Sequence, residues 1–313
     1  MRAKKILTLG GTGFIGQEVL RTLVEQSYSA TCLIHQTALP DDLHGKVELV
    51  HGSLERLPLA GEHFESATAI VHLARIARST RFGRWLAARK SARANQKLIH
   101  LLWQPMHPPL LVLVAGTLAY GDGHDQIITE NTPLHPVSYA RYYARGEAPL
   151  VEAIVQKKIK GIILRPAWVY GTGSWFRQFY LLPMQKLQIV PLYGNGKNWM
   201  TLIHVKDCAR MIVHLLERGQ PGETYNLFAG NAIRQEQLAE QLASITGLPI
   251  QKISLTQVEK RFGKLAAEAF SISQIIQSRH QSLLEEIPLL FPDLTRGLAN
   301  VVLPFLAQKK AST

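Results

Sequence analysis

The stretch Gly10-Gly11-Thr12-Gly13-Phe14-Ile15-Gly16 constrains this chain more than any other. It lies directly behind the apolar run that ends at Leu9. It leads into Gln17-Glu18-Val19-Leu20-Arg21-Thr22-Leu23-Val24, whose apolar residues recur at helical spacing. A strand, a glycine turn and a helix in that order leave backbone N–H groups open at the helix N-terminus, where the dipole favours negative charge. Glycine supplies the positive φ of the turn, and its missing side chain admits a pyrophosphate. A tight turn with no ligand is the plainer alternative. The flanking strand and helix favour dinucleotide binding over it.

Strand-like and helix-like segments alternate behind this turn. Strands are expected at 6–9, 30–34, 47–50, 69–73, 110–114 and 161–164, and helices at 15–25, 84–103 and 138–157. Several of these strands are apolar throughout, as parallel strands covered on both faces are. The pattern predicts an α/β fold, a Rossmann-type doubly wound parallel sheet. Residues 1–173 would form the dinucleotide-binding domain and 174–313 a smaller C-terminal lobe, with some segments returning to the sheet. In that lobe, 176–186, 206–218 and 235–246 read as helices and 223–228 as a strand. The apolar tail 289–306 is interrupted by Pro292 and Pro304, and its expected place is against the smaller lobe.

The formal net charge is +12. No Asp or Glu occurs between Glu65 and Asp122, whereas Arg75, Arg78, Arg81, Arg84, Arg89, Lys90, Arg93 and Lys97 all fall there. Arg89, Arg93 and Lys97 share one helical face. This is either a solvated basic face or a field that collects an anionic small molecule or an acidic protein partner. Nucleic acid is disfavoured, because no reading motif accompanies the charge. Two cysteines, Cys32 and Cys208, make no disulfide framework, and no metal-ligand cluster is visible. The glycines interrupt any signal-like apolar region, and no run is long enough for a transmembrane helix. The expected location is the cytoplasm.

Further motifs appear in order. They are His51-Gly52-Ser53-Leu54, Val71-His72-Leu73-Ala74, Asn95, Ala119-Tyr120-Gly121, Pro136-Val137-Ser138-Tyr139, Arg165-Pro166-Ala167-Trp168-Val169-Tyr170-Gly171 and His204-Val205-Lys206-Asp207-Cys208-Ala209. Over about residues 4–250 the chain resembles the extended short-chain dehydrogenase/reductase family, also called the NAD-dependent epimerase/dehydratase family. The resemblance implies cofactor contacts from Gly10, Thr12, Gly13, Phe14, Ile15 and Gly16 in the turn. It adds His35, Ser53 and Leu54 behind the second and third strands, Leu73 and Ala74 behind the fourth, and Tyr139, Pro166 and Val169. A homodimer is in keeping with the family.

The same resemblance exposes departures. Family members carry Tyr-x-x-x-Lys, in which tyrosine is the acid/base and lysine lowers its pKa and holds the nicotinamide ribose. Here Tyr139 is in place, with Glu147 eight residues on, but Tyr143 replaces the lysine. A neutral phenol cannot stabilise a tyrosinate by charge. Arg141 and Arg145 flank Tyr143 in sequence but lie on other faces of a helix. The family's Ser/Thr position falls on Gly116, leaving the neighbouring Thr117 as the available hydroxyl.

Behind the second strand, Ile34-His35-Gln36 has no carboxylate to bind a ribose diol, which favours NADP, with NAD as the alternative. Ser53 stands where the family has an aspartate. Trp168, Trp175 and Trp199 fall in the stretch that lines the family's substrate cleft. Two readings follow. One is a reductase or epimerase with an atypical site, acting on an anionic or carrier-linked small molecule through Tyr139 and Thr117. The other is a catalytically silent dinucleotide-binding structural or regulatory subunit, beside which stands a non-redox enzyme reusing the cleft.

Overall fold

The computed structural model describes residues 4–57, 61–78 and 80–308. Seven parallel strands form the central sheet: β1 (Lys5–Leu9), β2 (Ser29–Ile34), β3 (Glu48–His51), β4 (Ala69–His72), β5 (Leu110–Val114), β7 (Gly161–Pro166) and β11 (Thr224–Leu227). Their spatial order is β11-β7-β5-β4-β1-β2-β3. The order reverses between β1 and β4, and open α/β sheets take their ligands in the crevice at such a reversal. The short β6 (Ile127–Ile128) pairs instead with β14 (Ile275–Ile276).

Helix α1 (Phe14–Glu25) packs with α7 (Val205–Arg218), and α3 (Arg81–Leu102) packs with α4 (Ser138–Val155), beside the short α2 (Gly61–Ser66). The two faces of the sheet bury separate apolar clusters. One holds Val19, Leu20, Leu23, Val71, Val112 and Ile212. The other holds Leu7, Leu9, Ile70, Leu98, Leu111 and Leu150. Strand residues alternate between these faces, so a strand covered on both sides reads as a continuous apolar run.

A second core gathers later segments. Strands β8 (Trp168–Tyr170), β10 (Trp199–His204) and β12 (Ala229–Arg234) form one small sheet, in the order β12-β10-β8, and β9 (Val190–Tyr193) pairs with β13 (Ile250–Ile253). The helical run from α5 (Ser174–Phe176) through a π turn (Arg177–Leu181) to α6 (Leu182–Leu187) packs here. So do α8 (Gln235–Thr246), α9 (Leu255–Phe262) and α10 (Lys264–Ala269). The five-residue α11 (Gln281–Glu285) follows.

The interruption expected at Pro304 does not occur. Helix α12 (Leu294–Ala307) runs through it and buries Leu298 and Val302 in this second core. Pro304 has no N–H for the Asn300 carbonyl, so the helix passes through it with that one bond missing. A β-carbon on Gly297 would sit 2.1 Å from the Tyr170 hydroxyl, so α12 lies hard against β8.

The His204–Ala209 motif is architectural. His204 Nδ1 accepts the Lys206 N–H at 3.1 Å and caps α7. The buried Asp207 carboxylate accepts the N–H groups of Leu290 (2.7 Å) and Phe291 (3.1 Å), tying down the segment before α12.

Candidate functional site

The glycine turn sits at the β1/β4 switch point. Gly10 adopts φ +88°, and a β-carbon there would meet Ala74 N at 2.7 Å and Leu73 C at 2.9 Å. Leu73 and Ala74 therefore close over the turn. A β-carbon on Gly16 would lie 2.2 Å from Gly10 O and 2.7 Å from Gly11 Cα, both backbone atoms that a side chain could not displace. Gly13 is the N-cap of α1 and offers no side-chain cap, while its own N–H bonds Gly10 O at 3.1 Å. The first-turn N–H groups of α1 are thus available to an anion. Thr12 lies in this turn, and its carbonyl accepts Gln17 Nε2–H at 2.9 Å. The cradle fits a pyrophosphate.

Phe14 fixes the turn against the next wall. Its ring fills the space above Gly171 and Gly173, where β-carbons would meet it at 2.9 and 2.6 Å. Phe14 and Ile15 then line a cleft of about 600 Å³ together with Thr117, Tyr139, Pro166 and Val169. Sequence elements more than a hundred residues apart converge there. His35, Ser53 and Leu54 do not line this cleft; they lie behind β2 and β3. His35 is exposed, Leu54 is buried, and Ser53 Oγ accepts the Arg56 N–H at 3.2 Å.

Tyr139 projects from the first turn of α4 and is 39% exposed. Tyr143, one turn on, meets it edge to face at 5.3 Å between ring centroids. Burial, then the proximity of Tyr139 and a hydrogen bond with it, pushes the Tyr143 hydroxyl far above the ordinary tyrosine range. Arg141 and Arg145 are exposed on other faces.

Thr117 is buried on the short 3₁₀ turn behind β5. Its carbonyl accepts Gln274 Nε2–H at 2.9 Å, and the same amide reaches Gly121 O at 2.8 Å. Gly116 has an extended φ of 177°.

The Tyr120 hydroxyl donates to Asn226 Oδ1 at 2.8 Å and is pushed up to about 12 by burial. Arg165 is buried with its guanidinium 5.3 Å from the Tyr120 ring centroid. Asn95 accepts from His72 Nε2 at 3.0 Å and donates to Gly146 O at 2.8 Å, so this pair joins β4, α3 and α4 rather than touching the cleft.

The basic segment divides. Arg75, Arg78 and Arg84 line the cleft, while Arg89, Arg93 and Lys97 are exposed along α3. Trp168 and Trp175 also line it, 4.8 Å apart edge to face, and Phe179, Phe262 and Phe270 extend this aromatic wall. Trp199 belongs elsewhere. Its indole N–H donates to Asp125 at 2.7 Å and Arg234 stacks on its ring at 3.8 Å, which holds it at the β10–β12 edge. Both cysteines are buried and free. Among the described residues, no group of three or more His, Cys, Asp or Glu is placed to hold a metal, and no helix is long and apolar enough to cross a membrane.

Two groups of site residues gave little sequence signal. Arg75 reads as one of a run of arginines until the fold brings it to Tyr143. Gln274 lies 157 residues from the Thr117 carbonyl that it holds, and no local pattern marks it.

A seven-stranded parallel sheet with a glycine cradle at its switch point defines a Rossmann-type protein of the extended short-chain dehydrogenase/reductase kind. The NAD dependent epimerase/dehydratase family model matches residues 6–227, and the chain belongs to that family. It is similar to human dTDP-D-glucose 4,6-dehydratase, at 23% identity over 262 residues, 78% of this chain and 74% of that one. The structure resembles DesIV, the dTDP-glucose 4,6-dehydratase of Streptomyces venezuelae solved with NAD bound, with TM-score 0.77, 22% identity and 98% coverage of both chains. It also resembles a UDP-N-acetylglucosamine 4-epimerase from Methanobrevibacter ruminantium, with TM-score 0.79, 17% identity and coverage of 98% of this chain and 100% of that one.

Proposed function

We propose that this protein is a dinucleotide-dependent enzyme, a reductase or epimerase of an anionic, nucleotide-linked small molecule. Tyr139 is the proton-transfer group and Thr117 the hydroxyl that orients the reacting oxygen. The observation that carries this reading is convergence: the cradle residues Phe14 and Ile15 line the same cleft as Tyr139 and Thr117. Gly10, Thr12, Gly13 and Gly16 would hold the pyrophosphate, and Pro166 and Val169 would flank the nicotinamide end. A bound nicotinamide supplies hydride exchange.

The chain's own residues do the rest. The Tyr139 hydroxyl gives a proton to, or takes one from, a substrate oxygen. Thr117, pinned through Gln274, fixes the direction of approach. Arg78 and Arg84 supply positive charge for the substrate's phosphates. His35 and the absence of a carboxylate behind β2 favour NADP over NAD. Relatives named for dTDP- and UDP-linked sugars support nucleotide-sugars as the first substrates to try. Two buried free thiols suit a reducing compartment, the cytoplasm.

The test is turnover of dTDP- and UDP-linked hexoses with NADP⁺ or NAD⁺, and of their keto derivatives with NADPH or NADH, read by product NMR. Tyr139→Phe is expected to lower the rate by about 10²–10⁴-fold. Equal rates for the variant and the wild type would overturn Tyr139's role. One observation favours a second reading: α4 puts no cation beside Tyr139. A silent subunit docking an acidic partner, or a second copy, through the exposed Arg89, Arg93 and Lys97 would bind dinucleotide and leave every substrate unchanged.

A further inference from the structure

Helix α3 turns both its charge and three large apolar side chains toward solvent. Its 22 residues include six arginines and lysines and no carboxylate. Thr80 caps it by accepting the Gly83 N–H at 3.0 Å, which fixes where the first turn begins. At about 100° per residue, Phe82, Trp85, Leu86, Arg89, Arg93 and Lys97 fall within an arc of about 120°. All six are exposed. The other side of the helix buries Leu98, Ile99 and Leu102 against the sheet.

The exposed stripe is ordered. Phe82 is 72% exposed, and Trp85 and Leu86 are 40% exposed each. The Phe82 and Trp85 rings stack at 5.8 Å between centroids, and the Arg89 guanidinium lies 4.8 Å from the Trp85 ring centroid. Three apolar side chains therefore stand in water on the first two turns, held beside one another. The cations Arg89, Arg93 and Lys97 follow along the same line. Among the described residues, none of these three is paired with a carboxylate, whereas the neighbouring Lys90 pairs with Glu55 at 2.9 Å. Trp103, at the C-terminal cap, is 52% exposed. From Phe82 to Trp103 the stripe runs about 30 Å.

This pattern limits what can cover the stripe. A two-fold dimer sets a patch against its own copy. Here that would bring arginine to arginine with no carboxylate on the helix to pair them. An acidic protein would meet the cations and give the ring pair no role. A bilayer answers both halves of the stripe. Anionic headgroups attract arginine and lysine, and apolar side chains enter the boundary between headgroups and acyl chains. Tryptophan favours that boundary.

We propose that the outer face of α3 docks on a membrane surface containing anionic lipid. The helix lies along the bilayer, with Phe82, Trp85 and Leu86 inserted and Arg89, Arg93 and Lys97 on the lipid phosphates. The contact is peripheral, since no helix among the described residues is long and apolar enough to cross. The cytoplasmic leaflet supplies lipid of this charge. The proposal is independent of what the cleft turns over.

The test is cosedimentation of the full chain with vesicles of phosphatidylcholine alone and of phosphatidylcholine with phosphatidylserine. Binding to the anionic vesicles and not to the neutral ones is expected. Each cation at an anionic surface contributes about fivefold, so Arg89→Gln with Arg93→Gln should lower partitioning about thirtyfold. Removing two exposed cations from the other lobe, Lys252→Gln with Lys260→Gln, should change it by less than about threefold, because they lie outside the screened contact. Phe82→Ser with Trp85→Ser should lower it about tenfold or more. Leu86→Ser carries the same test should that pair not fold. No binding to anionic vesicles would overturn the proposal. So would an equal loss in the Lys252/Lys260 pair, the mark of diffuse attraction to a basic protein. An aromatic pair that binds as the wild type does would assign the face to an acidic protein and overturn it too. A wild-type dimer that the aromatic pair splits, read by sedimentation velocity, would assign it to a second copy with the same consequence.

Discussion

Acidification should destabilise this fold through two buried imidazoles. Burial pushes both His72 and His204 down to about 4 from 6.5. His72 gives Nε2 to Asn95, and its Nδ1 is buried without a partner; His204 uses Nδ1 to cap α7. A proton added to either ring charges it in an apolar surrounding. As pH falls below 6.5 the unfolded chain takes up these protons while the folded chain does not, so stability present at neutral pH is lost on the way to about 4. With those two values, linkage gives a loss of about 2 kcal/mol per histidine between pH 7 and pH 5. The carboxyls of Glu147 and Asp207, raised by burial, shift stability in the opposite direction and make the total smaller. Comparison with variants isolates the histidines. His72→Gln keeps a donor for Asn95, and His204→Asn keeps a good helix cap. Urea unfolding at the two pH values should show wild type losing about 2 kcal/mol more than either variant. Equal losses in wild type and variants would refute the reasoning.

Other outcomes follow from single contacts. Asp207→Ala leaves the Leu290 and Phe291 N–H groups without their carboxylate and should cost about 3 kcal/mol in chemical denaturation. Gly116→Ser meets no backbone and needs no unusual φ, so its melting temperature should stay close to wild type. A fall of many degrees would show that Arg75, whose Nη2 would lie 4.0 Å from that β-carbon, cannot yield. Trp199→Phe removes the indole donor to Asp125 but keeps a ring under Arg234, and should cost about 1 kcal/mol, checked by the same unfolding assay.

The parts of this protein that were legible in its sequence are those set by local rules. The strand–glycine–helix order of residues 5–25 marks the cradle, because only glycine fits at Gly10 and Gly16. The continuous apolar runs of β4 and β5 mark doubly covered strands. Tyr143 in place of a lysine is visible at once, and so is Gly116 in place of a hydroxyl. What sequence hid depends on the chain returning to itself. Arg75 meets Tyr143 and Glu147 only after α4 packs beside the β4 loop. Gln274 supports Thr117 from the far end of the chain. Trp199 joins Arg234 rather than the cleft because β10 and β12 pair antiparallel at that point. Pro304 reads as a break, yet α12 runs through it with Leu298, Val302 and Phe305 buried on either side.

The central claim is that residues 10–16 hold a dinucleotide. Titration calorimetry with NADPH and NADH, on wild type and Gly16→Ala, tests it most directly. A methyl group at Gly16 would collide with Gly10 O at 2.2 Å. The expected result is saturable binding to the wild type, tighter for NADPH, and none to a folded Gly16→Ala. Equal binding by the two proteins, or no binding by the wild type, would contradict it.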